Sequence, residues 1–174
     1  MAPVIQLSYQ PAFDAAHAIF RFLRIKIFLG LINIEFEKLR ILDFYLLFPF
    51  QAAGIRLRTE DVWVRAIAKK LEGHRSYAKL PSPEILFEKM KVSQVAGLQT
   101  MAAAGSVDIE AMRNSLVKFK HFDLPADLVA KINQANEREV ETMEIVKALQ
   151  HYPLLGKDGL KDRTGLLEYR YDHV

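Results

Sequence analysis

The stretch EFEKLRILDFYLLFPFQ, residues 35 to 51, decides how this chain folds. Its first half has the pattern of an ordinary amphipathic helix, with Leu39 and Leu42 on one face and charged residues opposite. From Phe44 onward the polar face is lost, and the last turn is apolar on all sides. A helix of that kind has to be covered from more than one direction. The sequence therefore predicts that several elements pack around residues 34 to 48.

Two arrangements would cover this helix. In the first, its leucines face the chain's own first helix, and four aromatic side chains near its end contact a partner subunit. These candidate partner contacts are Phe44, Tyr45, Phe48 and Phe50. Exposed together, they would form an apolar patch of roughly several hundred Å², the size that marks interaction sites on soluble proteins. In the second arrangement the third and fourth helices wrap both sides and leave nothing exposed. The sequence leaves both open.

The composition predicts one globular domain spanning residues 1–174. A chain of 174 residues with 51% hydrophobic content is long enough to close a core. It has no cysteine, which excludes disulfides and thiolate zinc sites and fits a reducing cytosol, so we expect a cytoplasmic protein. No secretory signal or membrane span is expected. A basic amphipathic helix over residues 18–34 on a membrane surface is an alternative to burial against protein.

Helix signals dominate, and the predicted fold is mainly α. We expect a first helix from about Pro11 to Phe28, with Gly30 just past its end, and a second over residues 34–48 that stops at Pro49. A third helix covers residues 60–72, with Thr59 as N-cap and with Val62, Trp63 and Ala66 facing inward. It closes at Gly73.

The second half of the chain predicts three further features. Ser82 and Pro83 begin a helix, and the pattern of residues 84–105 predicts a helix-turn-helix that ends at Gly105. These elements give a compact, winged-helix-like core over about residues 11–122. A long helix follows over about 124–152, and a tail from 153 to 174 contains a short C-terminal strand from Leu166 to Tyr171.

The sequence contains few residue patterns that are typical of an active site. The five histidines are scattered without metal-ligand spacing, and no Gly-rich phosphate loop occurs. We therefore expect no enzyme activity, no cofactor and no metal. Asp14, His17 and Arg21 fall on one helix face and form either a ligand-binding triplet or, as we favour, a cluster that docks the helix onto a neighbour. Asp43 is expected to pair with Arg40 or Arg58, or to mark the solvent edge of its helix.

A basic segment runs from residue 54 to residue 79, with seven Lys or Arg residues against three acids. A solvated helix face is the simpler interpretation. The functional interpretation is contact with DNA backbone phosphates. Its candidate residues are Arg56, Arg58, Lys69, Lys70 and Arg75. The helix-turn-helix itself carries no arginine on its second half, so direct base readout is weakly supported.

Four segments carry a resemblance to a known family. They are LSYQPAFDAAHAIFRFLRI (7–25), EKLRILDFYLLFPF (37–50), VSQVAGLQTMAAAGSVD (92–108) and GLKDRTGLLEYRYD (159–172). Together they resemble the middle components of bacterial ABC-three-component conflict systems, of which Lamassu anti-phage defence is one type. The resemblance covers most of the chain, and its motifs are structural patterns without a catalytic signature.

The resemblance implies a non-catalytic adaptor that bridges an SMC-like ABC ATPase subunit and an effector, which is commonly a nuclease. Any DNA contact would be made through that complex, and no membrane partner is expected. The candidate partner contacts combine positions that match the family, the aromatic cluster above and two tyrosines of the predicted tail strand. They are Asp14, His17, Arg21, Phe44, Tyr45, Phe48, Phe50, Arg163, Tyr169 and Tyr171. A free-standing winged-helix DNA-binding regulator is the alternative, and copurification with other subunits discriminates the two.

Overall fold

The computed structural model describes residues 10–73 and 80–167, and this part of the chain is mainly α-helical, as predicted. The α-helices, in chain order, are α1 (Ala15–Leu29), α2 (Phe36–Leu47), α3 (Trp63–Glu72), α4 (Pro83–Ala103), α5 (Ile109–Arg113), α6 (Ala126–Arg138), α7 (Val140–Gln150) and α8 (Leu160–Thr164). Short 3₁₀ turns occupy Gln10–Phe13, Pro49–Gly54 and Thr59–Asp61. Within the described ranges, no helix has both the length and the apolar character needed to cross a membrane.

A small antiparallel ribbon joins β1 (Asn33–Glu35) and β2 (Leu116–Lys118), with Ile34 opposite Val117. Both of these central residues are buried. The ribbon was not predicted, because each strand has only three residues and too short a pattern for a period to show. It ties the start of α2 to the segment after α5.

The apolar helix α2 lies at the centre of the core, where it packs against α1, α4 and α7. Leu39 and Leu42 are fully buried, as are Ile41 and Phe44 on its other faces. The segment Pro49–Gly54 then turns back against both α2 and α3. The chain's own helices therefore bury the apolar end of α2, as in the second of the two arrangements, although α1 and α7 take the place that this arrangement gave to the third helix.

Several helix ends lie where their local signals predicted. Gly30 ends α1 with a left-handed φ of 63°, and Pro49 follows the end of α2. Ser82 caps α4, with its hydroxyl accepting the N–H of Ile85, and Pro83 is the first helical residue. The start of α1 differs from the prediction. Residues 10–13 form a separate 3₁₀ turn, and Asp14 is the N-cap.

The helix-turn-helix predicted over residues 84–105 is wrong. α4 runs unbroken over 21 residues from Pro83 to Ala103. Residues 88–93 contain neither Gly nor Pro, so nothing interrupts the helical hydrogen bonds there. The winged-helix arrangement loses the turn on which it was predicted and is not confirmed.

The single long helix predicted over residues 124–152 is also wrong. α6 ends at Arg138 and α7 begins at Val140, because Glu139 leaves helical geometry with φ −109° and ψ 39°. Arg24 of α1 reaches this point and donates to the carbonyl of Ala135, one of the last acceptors of α6. A tertiary contact of this kind has no local signal, and neither Gly nor Pro marks the break.

The inward face of α3 was wrongly predicted. The helix begins at Trp63, after a 3₁₀ turn that contains Thr59, so Thr59 is not its N-cap. Val64 and Ala68 are buried, whereas Trp63 and Val62 are exposed. The buried face of α3 is therefore offset by two residues from the predicted one, with Val64 and Ala68 in place of Val62 and Ala66.

The C-terminal strand is tested only in part. Leu166 and Leu167 form a bend, so the predicted strand does not begin there. Leu166 is buried in the core. Tyr169 and Tyr171 lie outside the described residues, and the remainder of this strand stays a prediction.

α1 and α4 approach closely at Gly97. A Cβ atom on Gly97 would lie 3.2 Å from the carbonyl oxygen of Ala15 and 3.3 Å from Cγ1 of Ile19. Ser93, one turn earlier, donates from its hydroxyl to the carbonyl of Ala12 at 2.9 Å. Small residues at both positions let the two helices meet without displacing either backbone.

We expect Gly97→Leu to destabilise the chain by about 1–3 kcal/mol, because the larger side chain would overpack this contact. Chemical denaturation of the purified variant measures the change. Gly54→Leu is the matched control, since no atom lies within 4 Å of a Cβ built there. Equal stability of the two variants would show that the α1–α4 contact is looser than described.

Candidate interaction surface

A buried polar network joins α1, α2 and α4. Arg21 donates from Nε and Nη2 to the two carboxylate oxygens of Asp43, at 2.6 and 3.1 Å, and from Nη1 to the carbonyl of Pro11 at 2.7 Å. Gln94 of α4 donates to the same carboxylate at 2.8 Å. Asp43 is fully buried, and all of its described partners are positioned by packed helices. The bidentate geometry is typical of strong charge-assisted pairing.

Arg40 extends this network across the core. Its Nε donates to the amide oxygen of Gln94 at 2.9 Å, and its Nη1 donates to Glu37 at 2.7 Å. Its Nη2 reaches the carbonyl of Phe87, and the guanidinium lies 4.2 Å from the centre of the Phe87 ring. Gln94 therefore connects the two arginine systems, by accepting from Arg40 and donating to Asp43.

The predicted triplet of Asp14, His17 and Arg21 divides into two groups. Asp14 and His17 stay together at the surface, where Asp14 Oδ1 accepts from the backbone N–H of His17 at 2.9 Å and lies 2.9 Å from its Nδ1. The backbone hydrogen bond, aided by the one to the ring, holds the pKa of the Asp14 carboxyl below its usual range. Arg21 instead turns inward to Asp43. The expected pairing of Asp43 with Arg40 or Arg58 is wrong.

The predicted aromatic patch at the end of α2 is not exposed. Phe44, Tyr45 and Phe48 are 0%, 2% and 6% exposed, because α4 and the neighbouring rings cover them. Phe44 meets Phe87 of α4 edge to face at 5.9 Å. The exposed aromatic patch predicted at these three residues is therefore wrong, whereas their contact with a partner stays a prediction. Phe50 is half-buried. Burial raises the pKa of the Tyr45 hydroxyl.

Most of the predicted DNA-contact residues are engaged within the chain. Arg56 forms an ion pair with Asp162 at 2.8 Å, and Lys70 pairs with Glu141 at 2.7 Å. The guanidinium of Arg58 stacks 4.4 Å from the ring of Tyr152. Lys69 is exposed, and Arg75 lies outside the described residues. The ion pairs of Arg56 and Lys70 reduce the positive charge that this surface presents to a polyanion.

A second cluster fastens the C-terminal segment to the 55–61 loop. The Tyr152 hydroxyl accepts the backbone N–H of Arg58 at 2.9 Å and donates to Asp61 at 2.6 Å. The Arg163 guanidinium lies 5.1 Å from the centre of the Tyr152 ring and donates to the carbonyls of Arg56 and Asp158. Burial, together with the hydrogen bond to Asp61, raises the pKa of the Tyr152 hydroxyl. Arg163, a predicted partner contact, thus has an internal structural role.

Sequence reasoning missed Arg40, Gln94, Arg24 and Tyr152 as positioning residues. One signal was available for Arg40, which is a charged residue inside a helix that is otherwise apolar on several faces. The roles of Gln94 and Tyr152 depend on partners that are 51 and 94 residues away in the chain. No residue pattern of a single segment could have indicated them.

Among the described residues, no group of three or more His, Asp or Glu side chains is placed to hold a metal ion.

An open groove of about 410 Å³ lies between the start of α1 and the outer side of α4. It is lined by Phe13, Ala15, Lys89, Val92, Ser93 and Ala96. A smaller apolar cleft of about 160 Å³ lies between α4 and the ribbon.

We expect Asp43→Ala to destabilise the chain by about 3–5 kcal/mol, because it leaves Arg21 buried without a counter-charge. Chemical denaturation measures the loss. The exposed ion pair of Glu110 with Arg113 supplies the control, and Glu110→Ala should cost less than about 1 kcal/mol. A double variant, Arg21→Met with Asp43→Leu, should be less destabilised than Asp43→Ala, and the opposite order would contradict this account.

We expect Tyr152→Phe to loosen the 55–61 loop while leaving the helical core folded. The substitution removes only the hydroxyl, so the N–H of Arg58 loses its acceptor and Asp61 loses its donor. The expected cost is about 1–3 kcal/mol. Hydrogen exchange of the Arg58 amide is the readout, with the amides of α2 as internal reference. Unchanged protection of Arg58 would mean that this contact does not hold the loop.

Comparison with known families gives one match that covers nearly the whole chain. The family model described as "ABC-three component (ABC-3C) system Middle Component 5" matches residues 7–172. Searches of curated proteins and of solved structures give no match.

Proposed function

The chain belongs to the family of ABC-three-component middle components, and from this premise we propose that it is a non-catalytic accessory subunit that bridges an SMC-like ABC ATPase and an effector. The effector we propose is a nuclease, and the assembly we propose is an anti-phage defence complex of the Lamassu type. The family match over residues 7–172 is the observation that carries this proposal.

The use of the charged side chains supports an adaptor role. Asp43, Arg21 and Arg40, the charged groups that are deepest in the fold, bond to one another or to Gln94 and hold three helices together. Asp14 caps a helix, and its contact with His17 is part of that cap. Asp43, Asp14 and His17, which could have served acid–base chemistry, are thus engaged in structural contacts, and this favours a binding function over catalysis.

DNA contact belongs to the proposal only through the complex. The free-standing regulator was predicted from the helix-turn-helix, and the unbroken α4 removes that support. Arg56 and Lys70 are paired with acidic residues, so a phosphate backbone would have to displace Asp162 and Glu141. Any DNA contact by these residues should therefore be weak in the isolated chain and fall steeply with salt.

We expect the isolated chain neither to hydrolyse ATP nor to cut DNA, whereas the three co-expressed components should lose ATP-dependent effector activity when this chain is omitted. The reason is that an adaptor transmits the state of the ATPase without carrying chemistry itself. Steady-state ATPase and plasmid-cleavage assays measure both parts, and plaque counts on expressing cells test the defence role.

The control is the Tyr152→Phe variant, which leaves the core folded and should still support effector activity. Full effector activity without this chain would contradict the bridging role. Turnover by the clean isolated chain would instead contradict the non-catalytic assignment.

A further inference from the structure

The outer side of α4 carries a stripe of residues with coiled-coil spacing. Its members, separated alternately by four and three positions, are Ile85, Lys89, Val92, Ala96, Gln99 and Ala103, and we name this stripe the α4 seam. Positions alternating in this way form one straight line along a helix that meets a partner helix. Over 18 residues the seam is about 27 Å long.

The seam is separate from the face that α4 buries against α1 and α2. The buried side carries Met90, Gln94 and Gly97, whereas Val92 is 79% exposed and Ile85 is 52% exposed. Val92, Lys89 and Ala96 also line the open groove beside the start of α1. An exposed apolar line with a groove along it differs from the singly scattered hydrophobic residues that are normal on surfaces.

Lys89 is the single charged member of this seam. Among the described residues it forms no ion pair, and its neighbours three and four positions away are Ile85, Leu86, Val92 and Ser93. The adjacent acid, Glu88, lies 3.8 Å from the buried Arg40 on the other side. A lysine beside the apolar side chains of Ile85 and Val92 calls for a carboxylate from whatever packs there.

This requirement decides the kind of occupant. The seam contains no acidic residue, and the flanking Glu88 lies 3.8 Å from Arg40, so a second copy packed seam to seam would have to give up that contact to offer Lys89 a carboxylate. Residues 1–9, which precede the groove in the chain, contain no Asp or Glu. Charge complementarity therefore favours a different protein chain over either of these.

We propose that the α4 seam binds an amphipathic helix of another component of the same system, with apolar side chains against Val92 and Ile85 and a carboxylate against Lys89. This inference rests on the proposed function, since it names the surface through which the accessory subunit contacts a partner. The small side chains of Ala96 and Ala103 permit close approach of the two helices, and Lys89 sets their register.

The absence of cysteine from the chain makes a direct crosslinking test possible. Val92→Cys, labelled with a maleimide photo-crosslinker, is co-purified with the other two components of the system and irradiated. The expected product joins Val92→Cys to one partner segment that contains a carboxylate. Leu155→Cys is the control, because Leu155 is a 51% exposed hydrophobic residue in the C-terminal segment and should crosslink at least about tenfold less.

A charge reversal tests the role of Lys89. Lys89→Glu should weaken binding of the partner at least about tenfold, whereas Lys91→Glu, with the same charge change on a neighbouring exposed face of α4, should weaken it much less. Circular dichroism confirms that both variants are folded. Reversing the crosslinked carboxylate to lysine should restore binding to Lys89→Glu and to no other variant.

Three outcomes would overturn the proposal. They are a crosslink to the chain's own terminal residues, a crosslink to a second copy, and equal effects of Lys89→Glu and Lys91→Glu. In each case the wild-type chain still assembles, so the accessory role survives while the α4 seam is rejected. Failure of the wild-type chain to bind any other component would instead reject the proposed function itself.

Discussion

The structure depends on one buried ion pair, Arg21 with Asp43. Removing two charges from water costs several kcal/mol for each, and only close, bidentate pairing with further hydrogen bonds offsets that cost. The fold supplies these bonds from the carbonyl of Pro11 and the amide of Gln94. Because the partners come from α1, α2 and α4, the charges are satisfied only when these three helices take their observed positions.

The same principle operates at the periphery of the core. Arg24 donates to Asn136 at 2.9 Å and to Glu139 at 3.1 Å, where α6 gives way to α7. Tyr152 binds the 55–61 loop through its hydroxyl, and its ring lies near the guanidinium groups of Arg58 and Arg163. Long polar side chains thus join segments that are distant in the chain. Hydrophobic packing alone would not fix how these segments align with each other.

This internal use of polar groups bears on function. An enzyme needs groups held apart from the structural network and tuned for proton transfer or nucleophilic attack. Here Arg21, Asp43 and Arg40 are satisfied by their neighbours. Outside this network, α4 carries a mostly apolar stripe whose one lysine forms no ion pair within the described part of the chain, and such a stripe suits binding to another protein. The chain belongs to a middle-component family, and the accessory role that we propose for it would use this surface.

The sequence by itself determined the helical class and several helix ends. Gly30, Pro49 and the pair Ser82 and Pro83 act through their own backbone geometry, so their effects are local and were predicted correctly. It also indicated that residues 34–48 need cover on every side. It did not indicate which elements provide the cover, because an apolar face is equally satisfied by the chain's own helices or by a partner.

The tertiary structure decided what local signals leave open. It broke the predicted long helix at Glu139, where Arg24 arrives from more than a hundred residues away, and it kept α4 whole where a turn was predicted. It paired Asp43 with Arg21 in place of Arg40 or Arg58. These outcomes depend on which residues come into contact in the folded chain. The energy of each contact is set by the distance between its groups and by their burial, and a short segment of sequence gives information on neither.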